Sequence, residues 1–331
     1  MNALAGARTA TRALAHPGGL SAYAKGVLYA LAAGLALGTL GPVSNIAYGA
    51  GMGSATFAAL RATVGAVAIA AAIRAARHRT ISLRSLGPRD RQLLALTAVA
   101  QASLSLSIFA AYHTMPVATV LGVYFCYPLV VAALSIVLGR ERLTPARSAG
   151  LVVALAGLAT VLLGGGSGTL GISVVGLGLA GLAATCQAVY LVASRNGYSR
   201  VPSDQASAVI LGGAAVLLWV MAVPLDLGAG TRWLTAPAAL FAVLVAGVIG
   251  AAFAKVSMLR AVRKVGGTRT SVLLLSEPIT GTALAALVLG QGVTGLQVIG
   301  GIGVLAGAAM AQRPARGVRA AGTAQSRHSS R

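Results

Sequence analysis

Tyr127-Pro128-Leu129-Val130-Val131-Ala132-Ala133-Leu134-Ser135-Ile136-Val137-Leu138 runs apolar into Gly139-Arg140-Glu141-Arg142-Leu143-Thr144, and a second apolar run follows through Gly157. Moved along the chain by 150 residues, the pattern returns without a gap. Pro128 falls on Pro278, Ala133 on Ala283, Leu134 on Leu284, Thr144 on Thr294, Gly150 on Gly300 and Gly157 on Gly307. The register reaches upstream as well, with Gly26 on Gly176, Ala30 on Ala180, Ala33 on Ala183 and Ala111 on Ala261. Ala and Gly match cheaply in such a chain, so the proline and threonine matches weigh most. A constant offset over this span marks a duplication, and internal repetition frames every later reading.

Of the 331 residues, 57% are hydrophobic and 9% charged, against about 25% charged in a soluble domain. A chain of this composition cannot coat itself with hydrated surface, so it reads as an integral membrane protein. The formal charge of +21 would suggest nucleic acid in a soluble protein, but the basic residues sit in loops between apolar runs. No nucleic acid partner is expected. Cys126 and Cys186 lie inside apolar runs without partner spacing, and read as buried small hydrophobes rather than a disulfide or a metal site.

A helix needs about 20 apolar residues to span the hydrocarbon. Ten runs meet this: 26–48, 54–76, 93–113, 117–138, 146–164, 171–193, 206–224, 235–259, 268–290 and 294–312. They lack the alternation of a lipid-facing barrel strand, which leaves helices. The run after Lys25 exceeds the roughly 7–15 apolar residues of a signal peptide and fits a retained span. The expected organisation is a segment 1–25, a first repeat 26–164, a second repeat 171–312, and a basic, Ser/Ala/Gly-rich disordered tail 313–331.

Loop charge gives orientation. Arg8, Arg12 and Lys25 precede the first run, and Arg74, Arg77, Arg79, Arg84, Arg89 and Arg91 follow the second. Arg140, Arg142 and Arg147, then Arg195 and Arg200, then Arg260, Arg263, Lys264 and Arg269 occupy further loops on that side, and five arginines end the chain. Among the alternate loops the basic residue is Arg232. By the positive-inside rule both termini face the cytoplasm of a multi-pass protein in the cell membrane, with anionic lipids as neighbours of the cytoplasmic face. Five spans per repeat then force the second repeat to enter from the opposite side. The expected fold is all-α and integral to the membrane: ten transmembrane helices in two inverted five-helix repeats, an architecture that places substrate sites near mid-membrane.

At this point the chain resembles the drug/metabolite transporter superfamily, specifically proteins with two EamA-type repeats. The residues that carry the resemblance are Gly38-Thr39-Leu40-Gly41-Pro42-Val43, Arg61, Thr114-Met115-Pro116-Val117, Pro128 followed by Gly139-Arg140-Glu141-Arg142-Leu143, and Arg269 through Glu277-Pro278 with Gly290 beyond. Gln291 departs from the pattern, where the family carries a second Gly-Glu. That argues against a catalytic role there, and leaves Glu141 as a loop ion pair with Arg140, Arg142 or Arg147. The resemblance implies a ten-helix carrier of small metabolites, amino acids or drugs, acting as an exporter.

Glu277 is the one acid deep within a span, about nine residues in at 1.5 Å each. Intramembrane acids face a bundle interior or cavity; the alternative role is to bind a neighbouring helix. Its repeat mate is Tyr127, which also precedes a proline. Pro42, Pro128 and Pro278 are candidate hinges, since each removes a backbone donor and can bend its helix. Arg61, two turns inside its run, reads either as a ligand for a substrate carboxylate or partner of Glu277, or as a snorkelling or capping residue. Lys255 reads as interfacial, its stem reaching the cytoplasmic boundary, with substrate contact as the alternative.

Neutral polar residues recur at helical spacing: Tyr124, Tyr127 and Ser135; Gln101, Ser105 and Tyr112; Gln187, Tyr190 and Ser194; Gly38, Gly41, Asn45 and Tyr48. Such faces suit a polar cavity, and interhelical hydrogen bonding suits each singly. Gly34/Gly38 and Gly303/Gly307 read as close helix packing, the run 206–224 as lipid-facing, and Trp219 and Trp233 as outer-interface residues. His78 and His113 receive no role, and no metal or cofactor is expected. The expected function is a secondary carrier of a small-molecule substrate by alternating access, with the proton as a candidate coupling ion. The rivals are a passive facilitator or channel of the same fold and, remotely, a lipid enzyme, which would need clustered acids, histidines or a nucleophile.

Overall fold

The computed structural model describes residues 21–112, 114, 117–139, 144–164, 173–226, 230–289 and 293–311. Among them there is helix and no strand, as expected where no water is present to satisfy a backbone group that the segment does not satisfy itself. The helices are α1 (Ala22–Gly38), α2 (Leu40–Gly49), α3 (Ser54–Ala75), α4 (Pro88–Tyr112), α5 (Val117–Tyr124), α6 (Tyr127–Val137), α7 (Pro145–Gly164), α8 (Val174–Asn196), α9 (Ser203–Leu225) and α10 (Pro237–Val245). A π-helical segment, Ala246–Phe253, joins α10 to α11 (Ala254–Val265), and α12 (Gly267–Leu273), α13 (Ser276–Leu289) and α14 (Gly295–Ala311) complete the chain. Seven described stretches are long and apolar enough to cross a membrane: Ala22–Gly49, Ser54–Ala75, Val120–Val137, Pro145–Gly164, Val174–Arg195, Ser203–Ala222 and Pro237–Val265.

Three stretches that read as single runs are broken, each just upstream of a proline. The first breaks at Thr39 before Pro42, the second at Phe125-Cys126 before Pro128, and the third at Leu274-Leu275 before Pro278. A proline ring clashes with the carbonyl four residues back and supplies no N–H, so the chain must depart from α geometry there. Tighter turns bridge the gaps: Cys126 N donates to the Val123 carbonyl at 3.1 Å, and Leu275 N to that of Val272 at 3.2 Å. Cys126 therefore sits on a break and is exposed, which corrects the expectation of a buried small hydrophobe; Cys186 is half-buried.

The repeats meet through a glycine seam between α7 and α14. A Cβ on Gly150 would lie 2.7 Å from the Gly307 carbonyl oxygen and 2.5 Å from Ala311 N; one on Gly300 would lie 2.6 Å from the Gly157 oxygen and 2.5 Å from Val161 N. Exchanging the repeats, by taking 150 from Gly300 and adding 150 to Gly157 and Val161, turns the second pair of contacts into the first. The seam is thus self-complementary in the manner of a two-fold interface. Gly150 meets Gly307 while Gly157 meets Gly300, so the helices run antiparallel and the two-fold lies across them, which is the geometry of inverted repeats. Elsewhere α3 packs on its own repeat mate α9, and α1 against α11 mirrors α8 against α4.

Small residues let the remaining helices approach closely. Gly34 of α1 seats Ser276 Oγ, and a Cβ on Gly38 would fall 2.8 Å from the Glu277 carbonyl oxygen. Asp226, at the end of α9, accepts a 2.6 Å hydrogen bond from Thr56 N and so neutralises an orphan donor at the start of α3. The run expected to face lipid, α9, does so on one side only. Ile210, Leu211, Ala214 and Leu218 are buried against α3 and α4, whereas Val216, Val220 and Met221 are exposed. Trp219, 38% exposed, donates its indole N–H to Thr63 Oγ1. Glu141, Gln291, Gly290 and His113, and the terminal segments 1–20 and 312–331, lie outside the described residues.

Candidate functional site

The break between α12 and α13 leaves Glu277 in the first turn of a new helix. An N-terminal turn presents unpaired N–H groups and the positive end of the helix dipole, so a carboxylate is favoured there over any interior position. Among the described residues the carboxyl forms no hydrogen bond or ion pair, and the side chain is partly open. Two cations bear on it electrostatically: Arg61 of α3 and Lys255 of α11. Arg61 belongs to the first repeat and the other two residues to the second.

Arg61 is held where α3 crosses the π-helical segment. A Cβ on Gly247 would lie 3.3 Å from the Arg61 carbonyl oxygen, so the glycine admits that turn of α3. Its guanidinium Nε is buried and has no hydrogen-bond partner. Lys255 does not reach the boundary as the sequence suggests. It is 7% exposed, and its ammonium lies 4.7 Å from the centre of the Tyr190 ring. Packing against Tyr190 encloses the stem that the sequence sends to the helix end, and a π-helical segment, where the register of later side chains shifts relative to a straight α-helix, ends two residues upstream.

Several of the other polar side chains of the sequence reading are enclosed in the helix bundle. Gln101, 3% exposed on α4, has a buried Oε1 without a partner, as does Gln187 on α8, whose Nε2 rests 3.7 Å from Met258 Sδ. The hydroxyls of Tyr190 and Tyr48 are also buried, with Ser194 and Ser44 beside them but no hydrogen bond of good geometry. Buried polar groups without partners are rare in native proteins, and mark places where water, an ion or a ligand belongs. Tyr124 packs its ring 5.5 Å from Tyr127, with Phe125 5.1 Å from Tyr124.

Two residues stand apart from this picture. Tyr127 is 1% exposed, and its hydroxyl donates to the Ser271 carbonyl at 3.3 Å. Ser271 lies in the last turn of α12, where carbonyls lack intrahelical donors. Tyr127 therefore ties the two helix breaks together across the repeats. Asn45 is exposed on α2, and among the described residues no hydrogen bond connects it to the charged group. Pro42 is buried in the first turn of α2, Pro128 is buried in α6, and Pro278 is half-buried in α13.

A polar cluster elsewhere is absent from the sequence reading. Asp204, at the start of α9, accepts from Arg260 Nη2 at 2.6 Å and lies 3.1 Å from His78 Nδ1. Arg263 donates to the Val201 and Tyr198 carbonyls and to Ser203 Oγ. Partners 126 residues apart, as His78 and Asp204 are, leave no spacing signal; the hint is that two of the chain's five acids lie on helix-terminal turns near the basic loops.

Inverted, glycine-seamed repeats with broken helices and ionisable groups at the breaks define a multi-pass membrane protein built like a transporter. The chain belongs to the EamA-like transporter family, which it matches over residues 24–163 and again over 174–312. It is 35% identical over 150 residues to the aromatic amino acid exporter YddG of Ancylobacter novellus, a match covering 44% of this chain and 50% of that protein. The chain thus matches about half the length of this curated relative. A chain of known crystal structure is similar over 87% of this chain and 96% of its own, with 25% identity and a TM-score of 0.75.

Proposed function

We propose that the protein is a secondary-active exporter of a small carboxylate-bearing molecule, of which aromatic amino acids are the first candidates, working by alternating access of the repeats 26–164 and 171–312. The carrying observation is that two cations, Arg61 and Lys255, act electrostatically on one acid, Glu277, in a helix bundle that also encloses polar atoms of Gln101 and Gln187 without partners. Two cations to one acid favour a substrate that brings a carboxylate, with Arg61 and Lys255 as its ligands. An ammonium on the same molecule would meet Glu277. Tyr124, Tyr190, Gln101 and Gln187 supply aromatic surface and hydrogen bonds, and Asn45 is an entry-path residue. Tyr127 shapes the site by holding the helix breaks together, and Pro42, Pro128 and Pro278 set where the broken helices flex. A proton carried by Glu277 couples export to the proton gradient. Both termini face the cytoplasm of the cell membrane, as the loop arginines argue.

Counterflow in proteoliposomes tests this reading. Vesicles preloaded with unlabelled phenylalanine should transiently accumulate labelled phenylalanine with saturable kinetics, and Arg61→Met should weaken the half-saturating concentration about tenfold, or about 1.4 kcal/mol. Flux that rises linearly with concentration and shows no counterflow would make the protein a passive facilitator instead.

A further inference from the structure

Where α3 ends and α9 begins, the surface opens into a groove of about 430 Å³. Its floor is apolar, formed by Ile73, Ala208 and Val209, and Arg74, Arg77 and His78 line it as well. Both helices are apolar enough to span a membrane and both have an end here, so the groove sits at the boundary between hydrocarbon and headgroups. The apolar residues belong to the helices, while Arg77 and His78 follow the end of α3.

The groove is built rather than left over. His78 N donates to the Ile73 carbonyl at 3.0 Å and Arg77 N to the Arg74 carbonyl at 3.1 Å, the paired bonds of a Schellman cap. The residue with left-handed backbone in such a cap is usually glycine, yet here it is Arg77, at φ 48°. An arginine in that conformation is disfavoured, and what it gains is a guanidinium on the groove wall. The loop beyond is pinned to α9 by two hydrogen bonds between Gln205 and the Ile81 backbone, at 3.0 and 2.6 Å. His78 is engaged with Asp204, which also binds Arg260. Arg74 and Arg77, by contrast, have no ion pair or side-chain hydrogen bond among the described residues. Their charge is unanswered at a site where the available counter-charge is a lipid phosphate.

We propose that this groove binds one anionic phospholipid, its phosphate between Arg74 and Arg77 and an acyl chain along Ile73, Ala208 and Val209. The lipid then lies against a wall joined through His78, Asp204 and Arg260 to α11, the helix that carries Lys255. Its occupancy stabilises the packing of α3, α9 and α11.

The test measures Tm of the full-length protein in neutral detergent, with added phosphatidylglycerol, phosphatidylcholine or inorganic phosphate. Phosphatidylglycerol should raise Tm, whereas the other two should leave it unchanged. In Arg74→Gln/Arg77→Gly, the half-saturating lipid concentration should rise by roughly fivefold for each arginine removed. Glycine suits the left-handed position, so this variant keeps the cap. A control of equal charge loss outside the groove, Arg84→Gln in the loop with Arg89→Gln at the start of α4, should keep the wild-type response. Equal weakening in both variants would reduce the effect to diffuse surface charge, and an equal shift with inorganic phosphate would remove the lipid from it. Either result overturns the proposal, as does an unchanged response in Arg74→Gln/Arg77→Gly.

Discussion

Tyr127 and Glu277 occupy equivalent positions of the two repeats, each one residue before a proline and at the start of a resumed helix. Their situations differ in every other respect. The Tyr127 hydroxyl is spent on a backbone carbonyl of the other repeat, and the ring is enclosed. Glu277 is partly open, lacks a hydrogen-bond partner among the described residues, and faces two cations that have no counterparts in register. The position matching Arg61 is Leu211, and the position matching Lys255 is Ser105. Duplication has kept the proline at this break and the glycines of the seam, while Arg61, Lys255 and Glu277 have no charged counterparts in register. The seam is symmetric; the site is not.

That contrast is open to direct attack. The largest expected effect is at Glu277: Glu277→Gln keeps size and hydrogen-bonding capacity but cannot exchange a proton, so gradient-driven accumulation in proteoliposomes should fall to the level of empty vesicles. Counterflow should survive if the carboxyl serves coupling alone, and fail if it also binds substrate. Uphill transport with wild-type pH dependence would show that the asymmetry has no functional content.

The seam should give the next largest effect. Gly157→Ala places a methyl group 2.5 Å from Val304 N and 2.7 Å from the Gly300 oxygen, backbone atoms that cannot swing aside. Thermal unfolding should report a loss of about 1–3 kcal/mol, the usual penalty for overpacking. Gly307→Ala should cost nearly the same, because Gly157 and Gly307 are images of one another; a difference larger than the shared loss would break the proposed two-fold.

The smallest effect belongs to Tyr127. Tyr127→Phe removes one hydrogen bond and leaves an unpaired carbonyl on α12, a destabilisation of about 1 kcal/mol visible in Tm, with substrate affinity nearly intact. A large change in affinity instead would move Tyr127 from scaffold to binding surface.

The scaffold was legible because its determinants are local or periodic. Apolar run length, proline position and the 150-residue register each act through the backbone, and a sequence displays them directly. The ionisable residues of the site were visible for a related reason, since charge inside an apolar run is conspicuous. Their orientation was not. Lys255 reads as interfacial from its place near the helix end, yet it is enclosed against the Tyr190 ring of another helix, a contact no local pattern announces. Cys126 reads as buried until the break beside Pro128 turns it outward. The contacts of Asp204 with His78 and Arg260 bring together the end of α3, the start of α9 and the middle of α11, which no linear pattern records.

The glycine seam carries a consequence for how such a chain could be assembled from pieces. A contact in which Gly150 meets Gly307 and Gly157 meets Gly300 has the same chemistry whether or not a peptide links the halves. Two copies of a single half, inserted in opposite directions, would satisfy it as well as the fused chain does. A covalent connection then contributes stoichiometry: it guarantees one half of each orientation, and it frees the two to diverge. Leu211 opposite Arg61 and Ser105 opposite Lys255 are divergences open to the fused chain alone, since in a pair of identical halves every charge enters the membrane twice.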